Sequence, residues 1–154
     1  MDASQDPRPN WTNRPAQPPV PTVCVVGSLN MDVVVRCTRL PMAGQTVLGT
    51  SYKTNPGGKG ANQAVAARRL GARVWMVGRV GDDAHGPRLV QALATEGVDV
   101  TRVGAAAETA SGLAFITVAD GGENTAVVSS GANALLTEAD VANAAEHIAN
   151  ADVL

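Results

Sequence analysis

The stretch that most constrains this chain is Asn55-Pro56-Gly57-Gly58-Lys59-Gly60-Ala61-Asn62-Gln63-Ala64-Val65-Ala66-Ala67-Arg68-Arg69-Leu70-Gly71. Three glycines in four positions let a backbone reach φ > 0 without strain and come close to a ligand. The alanine-rich segment behind them predicts a helix over 61–70, starting at Ala61 or Asn62. A helix start leaves N–H groups unpaired and favours negative charge nearby, and Lys59 stands beside them as a charged donor. The small face of Ala61, Ala64 and Ala67, with Val65, suits close packing on a sheet, while Arg68, Arg69 and Gly71 make a stop signal. The pattern is that of a loop-to-helix ligand site. A glycine-rich turn that only caps a helix is the alternative on local chemistry.

A lysine among glycines invites two phosphate motifs, and both fail. A Walker A loop requires a glycine where Lys53 stands and a Ser or Thr where Gly60 stands. The dinucleotide fingerprint requires a third glycine where Gln63 stands.

The flanking sequence has α/β character. Val23-Cys24-Val25-Val26, ended by Gly27, predicts a strand buried on both faces of a parallel sheet. Asn30 and Asp32 follow at its carboxyl end, where open α/β sheets place their ligand crevice; an Asn/Asp turn bonding its own backbone is the alternative. Strands of about 32–39 and 46–54 come next, around Leu40-Pro41-Met42-Ala43-Gly44. A second pair, about 112–118 and 124–129, is joined by a turn through Asp120-Gly121-Gly122-Glu123. Four strands without intervening helices predict a small separate sheet. Between the pairs lie a strand at Val74-Trp75-Met76-Val77 and a helix from about Ala84 to Glu96. Asp82 or Asp83 caps that helix, and Leu89, Val90 and Leu93 form its apolar face. Thr137-Glu138-Ala139-Asp140 reads as a capping box opening a helix with Val141, Ala144, Ala145 and Ile148 inward. Ala151-Asp152-Val153-Leu154 reads as the entry to another buried strand.

The chain has 154 residues, 45% of them apolar and 17% charged, the balance of one globular domain. Met1 to Pro21 carries six prolines and little besides Trp11 to bury, so a flexible Pro-rich extension is expected over 1–21. A net charge of −2 gives no reason to expect nucleic acid or an acidic membrane as partner. Cys24 and Cys37 lack the spacing of a metal site or a disulfide scaffold, and His85 and His147 stand apart, so no metal site is expected within this chain. No apolar run is long enough to span a bilayer, and no signal-peptide core is evident; a cytoplasmic protein is the expectation.

Gly57-Gly58-Lys59-Gly60-Ala61-Asn62-Gln63-Ala64, with Gly27-Ser28-Leu29-Asn30-Met31-Asp32 before it and Gly78-Arg79-Val80-Gly81-Asp82-Asp83-Ala84-His85-Gly86 after it, resembles the PfkB carbohydrate kinases. The match runs from about Val23 to the last residue in the family's order and spacing. The lysine in the Gly-Gly-Lys-Gly-Ala-Asn form points to the ribokinase branch.

The resemblance implies a ribokinase-like three-layer α/β/α core over 22–154, with a small β-sheet lid at about 32–54 and 112–129 that closes over a sugar and supplies a homodimer contact. It implies ATP-dependent phosphorylation of the 5-hydroxyl of D-ribose, with Mg²⁺ and a monovalent cation, K⁺. It carries sugar binding onto Asn30, Asp32, Gly58, Lys59 and Asn62, with Ala114 and Ile116 against the apolar face. Those residue types suit a pentose: Asp32 accepts from two hydroxyls, while Asn30, Asn62, Lys59 and the Gly58 N–H donate. The family's catalytic aspartate, in a Gly-Ala-Gly-Asp segment, and most ATP and cation contacts belong to a C-terminal half that this sequence lacks. This chain alone is therefore expected to be inactive. A kinase for another sugar or nucleoside, or a non-catalytic sugar-binding or dimerisation module, are the other readings.

Overall fold

A computed structural model describes residues 19–154. The extension expected over 1–21 lies outside the described residues, apart from 19–21. Strands β1 (Thr22–Val26), β4 (Arg73–Gly81) and β5 (Asp99–Ala106) form a parallel sheet in the order β1-β4-β5. Parallel neighbours need crossovers, and helices α1 (Lys59–Arg69) and α2 (Gly86–Thr95) supply them.

Alternation along β4 assigns the two faces. Val74 and Met76 pack with Ala61 and Ala64 of α1 and with Leu89 and Leu93 of α2. Trp75 and Val77 pack with Cys24, Ala144 and Ile148 on the other side. That second layer carries α3 (Glu138–Asn143) and α4 (Ala145–Ala149), so the core has three layers, α/β/α. The capping box opens α3: Thr137 Oγ1 accepts from the Asp140 N–H at 3.3 Å, and Asp140 Oδ2 accepts from the Thr137 N–H at 2.8 Å. Arg79 of β4 then grips the same carboxylate with two donors, Nε at 2.9 Å and Nη2 at 2.7 Å, tying α3 to the sheet.

A second sheet has the order β3-β2-β6-β7, built from β2 (Asn30–Cys37), β3 (Gly49–Gly57), β6 (Gly112–Ala119) and β7 (Asn124–Ser129). Two antiparallel pairs, β2/β3 and β6/β7, meet where β2 and β6 run parallel. All four strands therefore join the core at one end, through residues 27–30, 57–59, 107–112 and 129–131.

Several local expectations are corrected. Helix α1 begins at Lys59, two residues before Ala61, because Gly58 takes φ 98° and serves as its N-cap. β1 packs on both faces, with Cys24 fully buried on one and Val23 and Val25 partly buried on the other, but Val26 at its end is exposed; its outer edge carries one parallel bridge, from Val23 to Val153. Val153 and Leu154 are exposed rather than buried. The helix after Thr137 breaks at Ala144, whose φ of −100° and ψ of 5° leave the helical region, so Val141 and Ala145 turn outward. β5 is a strand that the sequence pattern did not reveal.

Candidate functional site

The site lies where the two sheets join. After β1, Gly27-Ser28-Leu29 carries the chain into β2, and Leu29 is fully buried against Gly78 of β4. The start of α1 is pressed onto this link. A Cβ on Gly58 would stand 2.6 Å from the Ser28 carbonyl oxygen, and one on Gly60 would stand 2.8 Å from the Ser28 nitrogen. Only glycine permits that approach. Ala61 N–H donates to the Ser28 carbonyl at 3.1 Å. Among the described residues, the N–H groups of Lys59 and Gly60 meet no acceptor, which leaves two donors at the positive end of α1.

The strand register places the other residues. Asn30 pairs with Gly57 and Gly112, Asp32 with Asn55 and Ala114, and Val34 with Lys53 and Ile116. Paired residues share a sheet face and alternate residues return to it, so Asn30, Asp32, Ala114 and Ile116 line one surface. Val128, opposite Ala114, extends it. The register also brings Val128 and Lys53 onto this face, neither of which sequence reasoning assigned to the site.

Asp32 has a particular environment. Its carboxylate leans over Gly57, where any side chain would collide with it. Among the described residues it receives no hydrogen bond, and burial pushes its pKa up from the usual carboxylate range. An acceptor partly withdrawn from water and left unsatisfied is poised for a ligand that donates.

Asn30 is held differently. Its Oδ1 accepts from Nδ2 of Asn133, 2.8 Å away, a residue that sequence reading left in a connecting loop. Gly58 is buried, with its backbone against Ser28 and Leu29; Lys59 is the first residue of α1 and its side chain is exposed. Asn62, one turn into α1, is exposed and borders a small cavity with Leu29, Pro56 and Gly57. The structure thus gathers Asn30, Asp32 and Gly58 tightly, puts Lys59 and Asn62 along the same helix start, and sets Ala114 and Ile116 beside Asp32 on the neighbouring strand.

Below this surface, Asp83 fixes the entry to β6. Its Oδ1 accepts from Ser111 Oγ at 2.7 Å and from the N–H groups of His85 and Gly86 at 3.1 and 3.0 Å, and its Oδ2 accepts from Ser111 N–H at 3.0 Å. Burial opposes its charge, but these bonds outweigh burial and hold the carboxyl below its ordinary pKa. Asp83, rather than Asp82, therefore satisfies the first turn of α2. Asp82 instead accepts from Glu108 and Thr109 N–H groups.

A three-layer core with a second sheet rooted beside a glycine-framed helix start defines an α/β protein of two sheets. Residues 20–154 match the family described as pfkB family carbohydrate kinase, and the chain belongs to that family. It is 50% identical over 132 residues to the ribokinase of Bacillus subtilis, covering 86% of this chain and 45% of that protein. A solved ribokinase from Giardia lamblia superposes with a TM-score of 0.78 at 32% identity, over 87% of this chain and 44% of that one. The structure of Arabidopsis thaliana ribokinase complexed with ribose and ATP matches with a TM-score of 0.66 at 37% identity, over 74% and 37%. The chain thus spans less than half the length of these relatives.

Proposed function

We propose that the protein carrying this chain is an ATP-dependent kinase that phosphorylates the 5-hydroxyl of D-ribose, and that residues 20–154 form its sugar-recognising part. The observation that carries this reading is the unsatisfied, partly buried Asp32 carboxylate held over Gly57, beside the open N–H groups of α1, in a chain whose relatives are ribokinases. A carboxylate with both oxygens free accepts from two neighbouring hydroxyls, and Asn30, Asn62 and the Gly58 N–H donate back. Ala114 and Ile116 offer the apolar counterpart to the C–H face of the sugar ring.

Lys59 and the N-terminal end of α1 supply positive potential where a transferred phosphoryl group needs it. ATP supplies that group when bound. Among the described residues, no group of three or more His, Cys, Asp or Glu side chains could hold a metal ion, and Mg²⁺ and K⁺ enter this proposal through the family resemblance alone. In this reading the part described recognises the sugar.

The opposite face of the second sheet carries Phe115, Val127 and Tyr52, which are 52%, 71% and 72% exposed. Apolar exposure of that kind favours pairing, and a homodimer through this face is part of the proposal. No helix of the described residues is long and apolar enough to cross a membrane.

Steady-state kinetics with ribose and ATP on the full-length protein tests the reading, after circular dichroism shows each variant folded. Asp32→Ala removes the acceptor for two hydroxyls and should weaken sugar recognition by about 2–4 kcal/mol. Lys59→Met should lower kcat as well as ribose affinity, and Gly58→Val should abolish binding. Unchanged ribose affinity in Asp32→Ala would place the sugar elsewhere. Faster turnover of 2-deoxyribose or a nucleoside than of ribose would replace the substrate.

A further inference from the structure

Asn133 sits in a short 3-10 helix, Gly131–Leu135, at the point where the chain leaves β7. Its side-chain Oδ1 accepts from the Leu29 N–H at 2.9 Å. Its Nδ2 has three acceptors around its two hydrogens, the Leu29 carbonyl at 3.0 Å, Asn30 Oδ1 at 2.8 Å, the shortest of the three, and the Ser130 carbonyl at 3.0 Å. One side chain thus clips the end of β7 to the start of β2.

This network has a direction. A backbone N–H only donates and a backbone carbonyl only accepts, so Leu29 dictates which way the Asn133 amide faces. With its nitrogen turned toward Asn30, only the Asn30 oxygen can meet it. The Asn30 N–H₂ group is then left for another partner, on the face that Asn30 shares with Asp32. Gly112 lies beneath the two amides, and a Cβ there would collide with both Asn133 Nδ2 and Asn30 Oδ1. The result is a donor at Asn30 and an acceptor at Asp32 on one surface, which complements neighbouring hydroxyls of a sugar.

We propose that Asn133 is a positioning residue for sugar recognition: it sets the orientation of the Asn30 amide so that Asn30 meets the sugar as a donor. This rests on the reading that Asn30 belongs to the sugar site.

The test is a double-mutant cycle in the full-length protein, read as ribose affinity by calorimetry and as KM for ribose and for ATP. Asn30→Ala and Asn133→Ala should each weaken ribose binding by roughly tenfold, the scale of one hydrogen bond. The double variant should be no weaker than Asn30→Ala, and the KM for ATP should not move. Asn133→Asp keeps the acceptor for Leu29 N–H but turns an oxygen toward Asn30, and should lose at least as much affinity as Asn133→Ala. Wild-type affinity in Asn133→Ala, additive losses in the double variant, or a parallel rise in the KM for ATP would overturn the positioning role. Loss of fold in both Asn133 variants would do so too, since the residue would then hold the fold and not the amide. If Asn30→Ala itself binds ribose normally, the sugar-site reading falls, and that outcome is distinct from a failure at Asn133 alone.

Discussion

The Asp32 carboxylate is seated directly over Gly57, with its Cγ 2.9 Å from where a Cβ on that glycine would stand. The glycine is one strand across and two residues along the register, so the carboxylate bends toward the core end of the sheet, and the missing side chain is what gives it room. Gly57→Ala should push Asp32 aside without unfolding the sheet. Overpacking of this kind costs roughly 1–3 kcal/mol, and ribose affinity should drop by about tenfold or more. Calorimetric titration with ribose, alongside circular dichroism, reads both.

Ribose binding should weaken in acid because of the same carboxylate. Only when ionised does Asp32 accept at both oxygens at once, without an O–H of its own to place, and burial raises its pKa above the usual value. Affinity should be flat near neutral pH, fall as pH drops through the raised pKa, and approach a tenfold loss per pH unit below it. For the sugar-free fold the sign is opposite: a raised acid pKa in the folded state means that protonating Asp32 favours folding, a contribution lost as pH rises through that pKa. Titrations across a pH series should show the acid loss in the wild type and not in Asp32→Asn.

Asp140 behaves in the reverse sense. The two hydrogen bonds from Arg79, with those from the Thr137 backbone and hydroxyl, hold its carboxyl well below the ordinary carboxylate range. A depressed folded-state pKa contributes stability above the unfolded value of about 3.9, and that contribution is lost as pH falls below it. Asp140→Ala removes the box that starts α3 and should cost about 1–2 kcal/mol at neutral pH. Thermal unfolding from pH 7 to about pH 3 should show the gap between wild type and variant narrowing in acid.

Asp83 and Ser111 form a polar link between the elements of the two sheets. Asp83→Ala would strand the Ser111, His85 and Gly86 N–H groups, at roughly 1–3 kcal/mol for each buried group left unpaired, so a loss of about 3 kcal/mol or more is expected. Ser111 is 2% exposed and its Oγ also accepts from Gly81 N–H at 3.0 Å. Ser111→Ala should therefore cost less, about 1–2 kcal/mol. Urea unfolding of the two variants gives the ranking, and an Asp83→Ala protein as stable as the wild type would show the link to be idle.

What the sequence disclosed and what it hid divide along physical lines. The glycine-lysine loop, α2 with Leu89 and Leu93 inward, the turn at 120–123 and the Thr137 box are set by residues close in sequence, and they could be read. The start of α1 could not. Composition puts it after the last glycine, but Gly60 is helical because its backbone lies against Gly27 and Ser28, a contact made only in the tertiary fold. β5 escaped because Gly104, Ala105 and Ala106 are poor strand formers and its outer edge is exposed, so no apolar alternation marks it. Of the site, Asn30, Asp32 and the 58–62 segment stood out as polar or glycine residues at a strand end and a helix start. Asn133 did not, since its bond to Asn30 joins residues 103 apart and leaves no local pattern.

The parallel pairing of β2 with β6 gives the second sheet a root and a free end. Any rocking of that sheet about its root moves each residue in proportion to its distance from the root. At about 3.3 Å per residue, Asn30 and Gly112 sit on the pivot, Asp32 and Ala114 lie about 7 Å out, and Ile116 about 13 Å out. If the sheet closes over a sugar as proposed, the Asn30 amide would stay nearly still while Ile116 moved farthest of these residues. Such a lever would keep the proposed recognition in register at any angle of the sheet, and would leave only the exclusion of water to depend on that angle.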